Sequence, residues 1–225
     1  MFTIHMHDDG RVQVIRQDTS APQKVKYVSL DDLVMAFKDQ ATQSPILPQG
    51  VVQFWQGYDY EAFTVYRAPH KRKMTLCEEE YDMPIPGILI AARFNKNDEG
   101  LTLTDSAIFA VRGPFMGEET KLCSFPFGNV FDDNLICWGG VGINLKTSFQ
   151  VGSLPDLFLG SNYNFDLEGR YVQPDNVDND DEDDENYQGL QDFWKEMSAL
   201  EKFPENRLIE LCTYRNIRDY ISFLN

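Results

Sequence analysis

Thiols are the residues of this chain best suited to covalent chemistry, and there are four: Cys77, Cys123, Cys137 and Cys212. They are spread without a CxxC pair, so neither a zinc ribbon nor a disulfide framework is spelled out. Cys77 and Cys123 fall in predicted strands and Cys212 on an apolar stripe, where cysteine serves as a small packing residue. Cys137 has a different setting. It lies in Ser124 to Gly142, SFPFGNVFDDNLICWGGVG, a stretch of turn formers and aromatics with little periodicity, the kind of segment that carries function. Gly139, Gly140 and Gly142 follow it and would let the backbone run close to a bound chain. They make no phosphate cradle, because no lysine with a following Ser or Thr stands at the Walker spacing. By its neighbours Ile136 and Trp138 alone, Cys137 reads as an inert buried residue.

Histidine supply limits what a thiol can do. The chain has three histidines, His5, His7 and His70, all far along the chain from Cys137. A cysteine hydrolase needs a histidine base, so that reading requires the fold to bring His70 to the thiol. His5 and His7 share one face of an alternating segment, but no third metal ligand is identifiable, and a solvated or packed pair is the plainer reading.

The elements that must position these groups follow from periodicity. Residues 2–16 alternate apolar and polar on either side of Asp9-Gly10, a favoured tight-turn pair, and predict a β-hairpin. Ser29 and Asp32 form a capping-box-like start, and Leu30, Leu33, Val34, Phe37 and Ala41 follow at helical spacing, predicting a helix that ends before Pro45. Short runs rich in Val, Ile, Thr, Phe and Tyr predict strands near 51–56, 61–67, 73–79, 87–94 and 101–112, joined as an antiparallel meander. His70-Lys71-Arg72-Lys73 falls in a turn on this reading, as exposed charge. Leu190, Phe193, Trp194, Met197 and Leu200 make one helical face apolar. Pro204 opens a further predicted helix through Leu208, Ile209, Cys212, Ile217, Tyr220 and Ile221.

The formal charge of −16 opposes phosphate-backbone binding, so no nucleic-acid partner is expected. Eight of the acids crowd into the twelve residues Asp175 to Asn186, leaving 28 acidic against 20 basic residues elsewhere. Charge at that density repels itself and buries nothing, which predicts a disordered, solvated linker. No apolar run approaches the roughly 20 residues of a membrane span. His5, His7, Asp8 and Asp9 stand where a signal peptide would be basic and apolar, so a cytoplasmic protein without a membrane partner is expected. The predicted organisation is α+β: an N-terminal hairpin and helix over 1–46, a core over 47–172, an acidic disordered linker over 173–188, and C-terminal helices over 189–225 packing on the core.

One resemblance is specific. In ubiquitin-conjugating enzymes a His-Pro-Asn turn leads through a short loop to the catalytic cysteine. Here Phe127, Gly128 and Asn129 occupy the turn positions, and Val130 to Ile136 lead to Cys137, eight residues after the asparagine. The chain resembles a bacterial branch of that fold, the PRTRC system protein B family, also described as prokaryotic ubiquitin-conjugating-enzyme-like family D. The likeness runs through Leu47-Pro48-Gln49-Gly50, Trp55, Pro84-Ile85-Pro86-Gly87, Thr120 to Cys137 and Leu157-Phe158-Leu159-Gly160-Ser161, and covers most of residues 47–167. Asn164 stands where the branch usually carries a histidine after its Phe-x-x-Ser segment.

The resemblance implies an antiparallel meander sheet packed on helices, and a ubiquitin-like conjugating enzyme that needs neither cofactor nor metal. Cys137 would receive a ubiquitin-like β-grasp protein from a ThiF-like activating enzyme as a thioester, then pass it to an amine of a target protein. Asn129 would donate a hydrogen bond to the oxyanion or organise the loop, and one such donor is worth about 3 kcal/mol in a comparable site. The first helix and the sheet edge would receive the activating enzyme. A member that kept the fold but lost transfer would act as an adaptor for a ubiquitin-like protein.

Overall fold

Alternation over the first residues does build paired strands. In the computed structural model, which describes residues 2–7, 11–18, 21–31, 46–167, 169–172 and 185–211, strand β1 (Phe2–Met6) pairs antiparallel with β2 (Arg11–Asp18). Ile4 stands opposite Val14 and Met6 opposite Val12, so the apolar positions share one face. A third strand, β3 (Ala21–Ser29), joins β2 on its other side, which the alternation over 2–16 did not anticipate. Leu30 and Asp31 begin a helix; the remainder of the predicted helix and the Asp9-Gly10 turn lie outside the described residues. Residues 1–46 form one compact unit and residues 47–225 a second.

The second unit is built on a sheet of β4 (Val51–Gln56), β5 (Tyr60–Arg67), β8 (Gly87–Asn97) and β9 (Gly100–Val111). Its middle strands are apolar on both faces because both faces are covered. Ile88, Ile90, Ala92 and Phe94 of β8 point into the main core, while the intervening Leu89 and Ala91 point into a second cluster with Ala107, Phe109 and Val111.

The simple meander expected here is not what forms. Between β5 and β8 the chain leaves the sheet as a separate hairpin, β6 (His70–Leu76) and β7 (Glu79–Ile85), and β5 pairs directly with β8. The strand predicted at 73–79 crosses the hairpin's two-residue turn, Cys77-Glu78, both at positive φ (47° and 75°). Paired positive φ matches the twist of a tight hairpin, but the usual Asn or Gly signal is missing from the sequence. The basic run thus sits in strand β6, not in a turn. Lys71 pairs with Glu201 at 3.2 Å, Arg72 with Asp156 at 3.1 Å and Lys73 with Glu80 at 2.8 Å, so its cations meet carboxylates of the same chain.

The edge of β9 is completed in pieces. Residues 122–145 run antiparallel beside it and leave it twice. Short strand β10 (Leu122–Cys123) pairs with Val111 and Ala110, Leu135 bridges Ala107, Ile136 donates to the Ser106 carbonyl at 2.9 Å, and β11 (Asn144–Leu145) pairs with Thr102 and Leu101. The two excursions, 124–134 and 137–142, carry the residues singled out above.

Helix α1 (Leu154–Leu159) follows a capped 3-10 turn and buries Leu154, Phe158 and Leu159. Asp156 in its first turn bonds both Arg67 and Arg72, tying the helix to β5 and β6. After it, β12 (Asn162–Tyr163) pairs parallel with β6. Helix α2 (Glu185–Ser198) buries Leu190, Phe193, Trp194 and Met197, the apolar face read from the sequence, and packs on β7. It begins within the acidic run, whose residues 175–184 lie outside the described residues.

The helix predicted from Pro204 does not form over 204–211. A 3-10 turn at Glu205–Arg207 gives way to extended chain in which Leu208 bridges Tyr171 and Glu210 bridges Cys123. Arg112 supplies the reason: its guanidinium holds the Leu208 carbonyl and the Glu210 carboxylate, favouring pairing with the sheet over helical bonds. Cys212 and the rest of that prediction lie outside the described residues. The unit is therefore α+β, mostly antiparallel sheet with few helices. Among the described residues no helix is long and apolar enough to cross a membrane.

Candidate functional site

Phe127 anchors the segment. It is fully buried, with its ring near those of Phe125, Phe193, Trp194 and Phe203 at centroid distances of 5.4, 6.0, 5.6 and 5.8 Å. Gly128 comes next because the chain passes hard against its neighbour: a Cβ there would lie 2.5 Å from the Leu167 carbonyl oxygen. Asn129 then turns the backbone at φ 60°, a left-handed conformation that asparagine adopts more readily than most residues, and its N–H donates to Leu167 at 3.2 Å.

From Asn129 the chain forms a closed hairpin that ends at Cys137. The Cys137 N–H donates to the Asn129 carbonyl at 2.9 Å, Val130 bridges Ile136, and the Phe131 N–H donates to Leu135 at 2.9 Å. Asn134 makes the turn at φ 69°, and the Asp133 carboxylate accepts from the Leu135 N–H at 3.1 Å. Those polar residues are therefore the means by which the segment reverses. Val130 and Ile136 are buried, and the Ile108 N–H donates to the Asn134 carbonyl at 3.0 Å, so the hairpin is docked on β9. Exposed Asp132 pairs with Arg170.

Cys137 is half-buried where the hairpin ends. No side-chain hydrogen bond reaches its thiol among the described residues. Trp138 fixes the far side: its indole N–H donates to the Ser106 hydroxyl at 2.9 Å, and its ring stands edge-on to Phe158 at 5.9 Å. Gly139 and Gly140 follow at φ 60° and 79°, exposed, in a turn closed by the Val141 N–H on the Trp138 carbonyl at 3.1 Å. Two successive residues at positive φ favour glycine, whatever lies nearby. Between Trp138, Val141 and the β9 residues Thr104 and Asp105 is a shallow depression of about 210 Å³.

The Asn129 side chain is committed within the fold. Its amide nitrogen donates to the Ser161 hydroxyl at 3.2 Å and to the Asn162 carbonyl at 3.1 Å. Ser161 spends its own proton on the Phe158 carbonyl at 2.7 Å, so both groups facing the amide are acceptors and both amide hydrogens are used. Asn164 is held separately, its amide on the Asp166 carboxylate at 2.7 Å.

The other candidates separate from this site. Cys123 is buried, and burial pushes its thiol up to about 11, far from a thiolate at neutral pH. Cys77 is exposed in the β6–β7 turn and not in a strand. His70 lies with Nδ1 2.9 Å from the Ala68 carbonyl and lines a cleft of about 480 Å³ with Pro86, Val111 and Phe203, and Cys137 is not among the residues of that cleft. His5 and His7 belong to the first unit, and among the described residues no group of three His, Cys, Asp or Glu is placed to hold a metal ion. Ser106, Phe158, Ser161 and Asn162 hold the site, and the sequence assigned none of them a place in it. Leu157 to Ser161 carried part of the resemblance, but nothing in it spoke of contact with Asn129.

The arrangement is a half-buried thiol at the end of a hydrogen-bonded hairpin, with no base or metal partner placed beside it among the described residues. Such a thiol suits exchange with an activated acyl group better than hydrolysis. In comparison with known families, the family model described as Prokaryotic E2 family D matches residues 26–211, a span that contains this hairpin and the residues named above as holding it. No curated protein and no solved structure matches the chain.

Proposed function

The chain belongs to Prokaryotic E2 family D, whose E2-like members belong to prokaryotic ubiquitin-like conjugation, and on that premise we propose that it is a conjugating enzyme carrying a ubiquitin-like protein as a thioester on Cys137. The observation that carries the proposal is the hairpin between Asn129 and Cys137, closed by a 2.9 Å backbone hydrogen bond, which presents a half-buried thiol at the surface.

In the first step the Cys137 thiolate attacks the acyl carbon of a thioester on the activating enzyme. A C–S bond forms to Cys137, the bond to the departing sulfur breaks, and that thiolate takes a proton from water. Exchange between thioesters is nearly isoenergetic, so the rate depends chiefly on thiolate fraction and approach. In the second step the lone pair of a target amine attacks the same carbon, a C–N bond forms, Cys137 leaves as thiolate, and the ammonium proton passes to solvent.

Asn129 fits the role of loop organiser. Both of its amide hydrogens are occupied, and stabilising an oxyanion would require it to abandon Ser161 or Asn162. A hydrolase reading finds no support in His70, which occupies a different cleft. The narrower identification with PRTRC system protein B rests on sequence texture, and adjacent genes for a ThiF-like enzyme and a small β-grasp protein would support it.

The test is direct. Incubation with the activating enzyme, the ubiquitin-like protein and ATP should give an adduct that survives denaturation but not thiol reductant, and Cys137→Ala should abolish it. Absence of the adduct with wild type, or its persistence in Cys137→Ala, would sink the assignment and leave an adaptor that binds without transfer.

A further inference from the structure

We infer that Ser161 is a positioning residue for Cys137, acting through Asn129. The chain of contacts is continuous. The Ser161 hydroxyl donates to the Phe158 carbonyl at 2.7 Å and so turns a lone pair outward, where the Asn129 amide reaches it at 3.2 Å. Asn129, held by its side chain, offers its carbonyl to the Cys137 N–H at 2.9 Å. The same end of α1 grips the other flank of the cysteine, since Phe158 packs on Trp138. The turn after α1 thus sets the position of the thiol from both sides, although it lies more than twenty residues downstream.

The hydroxyl matters because the Asn162 carbonyl alone would satisfy one amide hydrogen and leave the amide free to swing about that bond. Two acceptors fix the plane of the amide and, through it, the left-handed turn at Asn129, φ 60°. A role confined to capping α1 would involve only the bond to Phe158 and would be indifferent to the residue at 129.

This inference rests on Cys137 being the acyl carrier, but its test reads the thiol and not transfer, so the two can fail independently. The intact chain is treated with iodoacetamide, and alkylation of each cysteine is followed by mass spectrometry. Ser161→Ala should loosen the mount and speed alkylation of Cys137 about fivefold, the effect of one hydrogen bond, while Cys77 is unchanged. Ser161→Thr, which keeps the hydroxyl, should restore the wild-type rate. Asn129→Gly, which permits the same left-handed backbone but removes both side-chain bonds, should speed alkylation at least as much as Ser161→Ala, and Ser161→Ala added to it should change nothing further. Asn129→Asp, whose carboxylate cannot donate to the Asn162 carbonyl, should also speed alkylation and serves if Ser161→Ala fails to fold. An unchanged Cys137 rate in these variants, or additive effects in the double variant, would overturn the inference.

Discussion

Cys123 and Cys137 carry the same functional group fourteen residues apart in the sequence, yet the fold gives them opposite characters. Cys137 is half-buried at the end of a hairpin, whereas Cys123 has no exposed surface and its thiol is pushed from 9.0 up to about 11 by burial, with the charge of Arg112 opposing the rise only in part. The raised value has a consequence for stability. Below pH 9 both folded and unfolded chains hold the proton and Cys123 is neutral to the balance. Above it the unfolded chain sheds the proton first, so stability falls as pH rises through the window from 9.0 to about 11, by up to about 3 kcal/mol. Urea denaturation of wild type at pH 8 and pH 11 should reveal that loss, and in Cys123→Ala the part due to this thiol should disappear.

Among the elements, the loop from Phe127 to Cys137 and helix α2 depend on one another. Phe127 sits among the rings of Phe193 and Trp194 from α2 and Phe203 beyond it. An imidazole placed there would bury ring nitrogens among apolar rings. Phe127→His should therefore destabilise the protein by about 2–4 kcal/mol, read as a lower thermal midpoint; a variant as stable as wild type would contradict the burial of this anchor.

The same region marks what the sequence revealed. The interval from Asn129 to Cys137 is local, and its turn formers Asp132, Asp133 and Asn134 are legible one residue at a time. Contacts from Asn129 to Ser161 and from Trp138 to Ser106 each span 32 residues, and nothing in either partner's own neighbourhood announces them. The β6–β7 turn was invisible for another reason, because Cys77 and Glu78 adopt left-handed backbone without the residues that normally signal it. Pro204 read as a helix start, which the structure does not bear out over 204–211, since the competing sheet contacts of Leu208 and Glu210 lie far upstream at Tyr171 and Cys123.

At the scale of the whole molecule, the chain divides at residue 46 into two compact units, and the residues around the candidate thiol that are named above all belong to the second. Residues 47–225 expressed alone should therefore unfold in a single cooperative transition by circular dichroism. A chain shortened in this way that shows no transition would mean that the second unit depends on the first for its stability.

The broken strand beside β9 has an effect of its own. An uncovered sheet edge invites a strand from another molecule, and proteins guard against this by interrupting or covering it. Here residues 122–145 cover the β9 edge in short lengths separated by loops, leaving no long run for a foreign strand to extend. The excursions that hold Asn129 and Cys137 are therefore also a guard against aggregation, and a site loosened enough to lose its grip on β9 would surrender solubility together with its thiol geometry.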